Sequence, residues 1–241
     1  MATTTTNFAL RKPDGDPSTG DDVNVSTDIN ASMDTIDAEL GGPGLWRPSD
    51  SNLVAWTGPP EYANNTSVLT MTTQLFYVYG LRAPRKQTVT GVAFKLSGTA
   101  PSSTGVTHSQ VKLFDSTGTQ LAATSDGTSN SGIFGTSTSD ITKVAFAATC
   151  TPDPHMLYLL LWIVSTQTNK PTFTGQTVTL SGNAVNDPVN LTSTNVRRAG
   201  SFSAGSSSAA PSSLTISGSG VISIASNTGT ALSQCPWLAL Y

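Results

Sequence analysis

The sequence predicts an all-β protein, a jelly-roll-type β-sandwich preceded by an extended arm and one short N-terminal α-helix. Three observations lead to that expectation. After position 52 the apolar residues fall in short runs or alternate with period two, at regular spacing between polar turns. Threonine and serine number 37 and 31 of 241 residues, a hydroxyl excess that suits solvated strands and turns. Charged residues make up 11% of the chain, less than half the roughly 25% of an ordinary globular protein. They are also unevenly placed: residues 1–50 hold nine acids against three bases, and residues 51–241 hold six acids against nine bases. Gly41-Gly42-Pro43-Gly44 supplies chain-breaking residues where the balance changes. The organisation read from this is an N-terminal module over 1–41, a linker over 42–52 and a sandwich head over 53–241.

The arm comes first. Thr3 to Asp22 is polar, with Phe8 and Leu10 as its large apolar side chains and Pro13 and Pro17 interrupting regularity. Such a segment buries too little apolar surface to order by itself and orders against a partner. The helix follows, from Ser26 to Leu40. Ile29, Met33, Ile36 and Leu40 are spaced 4, 3 and 4 apart, which aligns them on one narrow stripe, a coiled-coil seam rather than a broad core-facing side. Ser26 or Asn24 caps its start, Asp28 complements the positive helix end, and Gly41 stops it. At ~22 Å, with one thin stripe, it is marginal as an isolated helix. The stripe therefore needs cover, either from the chain's own head or from other copies; its narrowness and flanking Asp residues favour copies.

The head's strands are expected at Leu53–Trp56, Leu69–Leu81, Thr88–Leu96, Ser109–Phe114, Gln120–Ser125, Thr142–Ala148, His155–Ser165, Thr177–Ser181, Leu214–Ile216, Val221–Ala225 and Leu232–Tyr241. Val92, Phe94 and Leu96 share one side of their strand by alternation. Asp115 to Gly118 has turn chemistry and makes a hairpin of the segments on either side. His155–Ser165 is apolar on both sides and belongs at the centre of the sandwich. Ser201 to Gly220, rich in Ser, Gly and Ala with Phe202, Pro211, Leu214 and Ile216 as isolated anchors, reads as a long surface loop leading into an edge strand.

Composition also narrows function. The longest apolar run, nine residues from Met156 to Val164, is strand length and far short of the ~20 residues of a membrane span. The opening Met-Ala-Thr-Thr-Thr-Thr-Asn lacks the basic and apolar regions of a signal peptide, so no secretion is expected. A net charge of −3 does not suit a protein that neutralises phosphates, so no nucleic-acid partner is expected. Cys150 and Cys235 form no CxxC pair; they read as buried thiols of a protein made in a reducing cytoplasm, with a single bridge pinning the C-terminal strand as the other option.

Catalytic chemistry is sparse. His108 and His155 stand apart without a second ligand at metal spacing, and no nucleophile elbow, P-loop or dinucleotide fingerprint occurs. Of the six acids after residue 50, Asp115, Asp126, Asp153 and Asp187 have turn-forming neighbours, which leaves little for the converging carboxylates of glycoside hydrolysis. Asp14-Gly-Asp16 with Asp21 and Asp22 offers hard oxygens, but the twelfth loop position is Val25 where an EF-hand needs Glu. No catalytic residue, metal site or cofactor is therefore expected. As surface ligand contacts the sequence nominates Tyr62, in a Pro/Asn-rich loop, and the pair Arg197-Arg198, suited to a sugar acid or phosphate.

Asn7-Phe8-Ala9-Leu10-Arg11-Lys12-Pro13, then Val23-Asn24-Val25-Ser26-Thr27-Asp28-Ile29-Asn30, then Met33-Asp34-Thr35-Ile36-Asp37 occur in that order. This resembles the opening of tailed-bacteriophage minor tail and short fibre proteins, where a Leu-Arg-Lys-Pro arm and a Val-Asn-Val-x-x-Asp helix start precede a helix ending in Ile-Asp. The resemblance covers about forty residues; over 45–241 it is architectural, a jelly-roll head like those that end many phage fibres, and carries over no ligand-binding residue. It implies a non-enzymatic virion structural protein. Ile29, Met33, Ile36 and Leu40 would form a homotrimer seam, and Phe8, Leu10, Arg11, Lys12 and Pro13 would dock the trimer on a tail or capsid protein. The head would face the medium to attach to the host surface, with a cell-surface glycan as its partner and no membrane insertion. Assembly would take place in the host bacterial cytoplasm, with final residence in the virion. The alternatives are a capsid-attached head fibre or decoration protein and a glycan-degrading depolymerase, the latter disfavoured by the scarcity of paired acids.

Overall fold

The computed structural model describes residues 3–4, 11–12, 48–58, 61, 63, 67–97, 104–128, 132–134, 141–166, 168–177, 198–204, 209–218, 220–225 and 229–241. The chain divides into two compact units, Met1–Asp50 and Ser51–Tyr241. In the first, β1 (Thr3–Thr4) pairs antiparallel with β2 (Arg11–Lys12), Thr3 opposite Lys12. The helix expected over 26–40, its seam Ile29, Met33, Ile36 and Leu40, the arm residues Phe8, Leu10 and Pro13, and the acids Asp14, Asp16, Asp21 and Asp22 lie outside the described residues, as do the side chains of Arg11 and Lys12.

Among its described residues the second unit is mostly antiparallel β-strand, with a short 3-10 turn at Gly132–Phe134. Its strands are β3 (Ala55–Trp56), β4 (Ser67–Thr70), β5 (Leu75–Arg82), β6 (Val89–Lys95), β7 (Val106–Phe114), β8 (Gln120–Ala123), β9 (Ile141–Cys150), β10 (Met156–Ser165), β11 (Thr172–Thr177), β12 (Ala199–Ser203), β13 (Thr215–Ile216), β14 (Ile222–Ser223), β15 (Thr230–Ala231), β16 (Gln234–Pro236) and β17 (Leu238–Leu240). One sheet has the order β15-β12-β5-β10-β7-β8. Facing it are the sheets β3-β17-β6-β9 and β16-β11-β4, linked by a bridge between Leu96 and Phe173. The C-terminal segment joins both: β16 pairs with β11, Trp237 N donates to Thr174 O at 2.8 Å, and β17 then inserts between β3 and β6.

Alternation explains the layers. On β10, Leu157, Leu159, Leu161 and Ile163 enter the core shared with Val92, Phe94, Leu96, Phe173, Leu238 and Leu240 of the opposite layer. Phe94, Phe134 and Phe173 form its aromatic centre, with ring centroids 5.4 to 5.8 Å apart. The intervening Tyr158, Leu160 and Trp162 point to the other side of the sheet and join a second cluster with Phe76, Val78, Phe114 and Phe202. The central position expected for this apolar strand is the one found. Its second cluster, however, is covered by the segment around Ala210, Leu214, Ile222 and Ile224 rather than by a sheet of comparable size.

Several boundaries differ from the sequence reading. The expected strand Leu69–Leu81 is two strands, broken around Gln74, whose φ of 64° interrupts the pleat. A strand runs over Thr172–Thr177, ahead of the one expected at Thr177–Ser181, whose residues 178–181 lie outside the described residues. The loop expected from Ser201 contains the last three residues of β12, which lies between β15 and β5 with Phe202 opposite Phe76. Phe202 is fully buried, so one aromatic anchored this Ser/Gly segment in the sheet.

Candidate functional site: a cleft at one end of the sheet

The β7–β8 hairpin turn and the β9–β10 connection meet at one end of the second unit. The turn is built by Asp115, whose Oδ1 accepts hydrogen bonds from Thr117 N at 2.8 Å, Thr117 Oγ1 at 2.6 Å and Thr119 N at 2.9 Å. Across from it, His155 N donates to Asp153 O at 2.8 Å, and Lys86 Nζ donates to Asp153 Oδ1 at 2.8 Å. Between them lies a cleft of about 270 Å³ lined by Asp115, Thr117, Leu121, Thr151, Asp153, His155 and neighbours. It is smaller than the roughly 300–1,000 Å³ pockets that bury drug-sized ligands and suits one monosaccharide-sized group. Its carboxylates and threonine hydroxyls accept O–H donors, while Leu121, Pro152 and Leu157 supply an apolar wall.

Both carboxyls are held ionised. Partial burial works to raise the Asp115 pKa, but the hydrogen bonds from Thr117 Oγ1 and the Thr119, Thr117 and Gly118 N–H groups outweigh it and hold the group below the usual carboxylate value. The Lys86 hydrogen bond and then the Lys86 charge hold Asp153 low as well, with a smaller pull from His155. A glycosidase general acid needs the opposite, a carboxyl kept protonated near neutral pH. The turn character read for Asp115 and Asp153 is correct. That two turns separated in sequence share a cleft was not legible from either turn.

The second histidine also has a partner. His108 Nδ1 lies 2.6 Å from Asp126 Oδ2, and its ring stacks on Trp162 with centroids 5.6 Å apart. Ser109 follows His108, but its Oγ donates to Gly127 O and accepts from Ile133 N, each at 3.0 Å, so it is committed to holding the loop and is not a nucleophile. Asp126 completes this latch by accepting Ser109 N at 3.0 Å. Cys150 and Cys235 are free thiols. Burial raises the pKa of both, at Cys235 against a weaker opposing contact with Thr57, so neither is a thiolate at neutral pH. Among the described residues no cluster of three or more His, Cys, Asp or Glu is placed to hold a metal ion.

Of the nominated ligand contacts, Arg198 is exposed at the start of β12, while Tyr62 and Arg197 lie outside the described residues. Tyr77, Tyr79, Tyr158, Trp162 and Trp237 are buried, so these aromatics serve packing and leave stacking on a ligand to other groups. Comparison with protein-family models, with curated proteins and with solved structures returns no match.

Proposed function

We propose that the chain is a non-enzymatic virion structural protein of a tailed bacteriophage, a trimeric tail fibre or minor tail protein whose β-sandwich head attaches to the host surface. The observation that carries this reading is the order of arm, cap and seam motifs across residues 7–37, ahead of a charge-poor β unit. Three parts belong to the same reading: the helix over 26–40, docking through Phe8 to Pro13 on a tail protein, and a jelly-roll path for the head. Assembly in the bacterial cytoplasm fits two thiols that are unbridged. A non-enzymatic head is supported by the two ionised cleft carboxyls, neither of which is poised as an acid.

A capsid-attached head fibre or decoration protein would use the same arm. Antibody labelling of purified particles separates the two: label at the tail tip or baseplate supports the fibre, and label over the capsid replaces it with the decoration protein. Particles without the chain would end both. The meeting of Asp115 and Asp153 in one cleft is the observation behind the rival depolymerase reading. A fall in polysaccharide viscosity on adding the purified protein would establish that rival.

A further inference from the structure

We infer that the end of the head formed by β5, β10 and β12 binds an anionic oligosaccharide, a sugar chain carrying a carboxylate or phosphate about once per repeating unit. The inference rests on the host-attachment reading and names the ligand class of that end. Its first ground is the placement of charge. Twelve of the described residues of the second unit carry an acidic or basic side chain, and six of them, Arg82, Arg85, Lys86, Asp115, Asp153 and Arg198, gather at this one end. In a chain with only 11% charged residues, such a gathering sets a local positive field, with four cations against two carboxylates. One of those carboxylates, Asp153, is paired with Lys86; among the described residues no ion pair engages Arg82 or Arg85.

The second ground is register. Gly80 N donates to Arg198 O at 2.6 Å, which sets Arg198 beside Gly80 across β5 and β12, while Tyr158 is the partner of Gly80 across β5 and β10. One step along, Arg82 is the partner of Met156. Two arginines therefore stand on the same side of the sheet as Met156 and Tyr158, with strands ~4.8 Å apart setting their spacing. Gly80 has no side chain to separate them: a Cβ there would lie 3.2 Å from Met156 Sδ and 3.5 Å from the Arg198 Cα. The Arg198 charge reaches the Tyr158 hydroxyl, where it partly offsets the rise that burial imposes on the phenol. Arg82, Arg85, Lys86 and Arg198 are exposed, and Met156, opposite Arg82, is half-buried.

These groups match a sugar acid part by part. A guanidinium takes a carboxylate or phosphate through paired N–H donors. The thioether of Met156 gives an apolar surface for ring C–H groups. The cleft around Asp115, Asp153 and His155 is lined by Leu157, which faces the opposite side of the sheet from Met156 and Tyr158, so it stands apart from this surface. A nucleic acid binds through many simultaneous cation contacts; two arginines beside a thioether suit it less than a sugar chain, whose ring C–H groups Met156 can cover.

The test is calorimetric titration of the full chain with four probes: oligogalacturonate, a phosphomannan oligosaccharide, neutral maltohexaose and a 20-nucleotide single-stranded DNA. Binding is expected for an anionic chain and not for maltohexaose; which of the first two binds identifies the anion as carboxylate or phosphate. Arg82→Gln and Arg198→Gln should each weaken that binding about tenfold or more, and Arg82→Gln should leave the melting transition unchanged. Lys143→Gln, on the opposite layer over the Tyr241 ring, should leave it unchanged. The inference is overturned if neither anionic chain binds, if both arginine variants bind like the parent, or if DNA binds more tightly than both. A chain present in particles that binds no anionic sugar loses only this ligand. A chain absent from particles that still binds one loses the virion reading and keeps the site.

Discussion

The α-carbon of Gly118 has φ of +87° and abuts the backbone of Leu214, so that a Cβ there would run into the Leu214 carbonyl oxygen. Two constraints meet at this one residue. The hairpin turn needs the left-handed backbone that only glycine adopts cheaply, and the covering segment approaches so closely that Leu214 N donates to Gly118 O at 2.9 Å. Gly118→Ala is therefore expected to lower stability by ~2 kcal/mol or more, read as a fall in the urea midpoint. Gly218→Ala is the control, because a Cβ there meets nothing within 4 Å, and it should shift stability by no more than ~0.5 kcal/mol. Equal midpoints for the two variants would show that the Leu214 contact constrains nothing. The turn itself was legible, since Asp115-Ser-Thr-Gly118 carries its own hydrogen-bonding chemistry in neighbouring residues. The contact with Leu214 was not, because no local pattern encodes the approach of a segment so remote in sequence.

Elements were legible wherever alternation or length was unambiguous, and illegible where composition masked them. Val89–Lys95 alternates and was placed within a residue at each end; Met156–Ser165 was central because both of its sides are apolar. Ala199–Ser203 was hidden because its strand side chains are mostly Ser, Gly and Ala, and only Phe202 projects enough surface to bury. The sheet holds it through pairing with β5 and β15, a tertiary effect that propensity does not anticipate. Beyond it, Lys112 Nζ donates to Ala210 O and Pro211 O, each at 3.0 Å, and so pins the cover over Phe114 and Trp162. Burial lowers the pKa of that amine. If β12 is an integral strand, Phe202→Ala should cost ~3–5 kcal/mol in a urea or thermal melt, the range for an aromatic removed from a core. A surface loop would register less than ~0.5 kcal/mol, and that outcome would refute the assignment of this segment to the sheet.

At the scale of the whole chain the two units follow different physics, and one substitution separates them. The unit Ser51–Tyr241 has its own core of buried Phe, Leu, Ile and Val side chains, so its stability does not call for a second copy. The stripe Ile29, Met33, Ile36 and Leu40 would call for one if it forms the proposed helix, because a helix of fifteen residues with one thin apolar edge is marginal in water. Ile36→Asp sets a carboxylate in the middle of that stripe, where three copies would bring three like charges to one axis. The parent should scatter light with a mass near three times 24.9 kDa at micromolar concentration, and Ile36→Asp near 24.9 kDa. The far-ultraviolet circular dichroism of the sheets should be almost unchanged, since the core clusters of the second unit are built from its own residues. Deleting residues 1–41 should likewise lower the scattering mass to that of one shortened chain. A parent that is monomeric at this concentration refutes the seam. A variant that also loses its sheet signal shows that the stripe packs on the chain's own head, the other way to cover it.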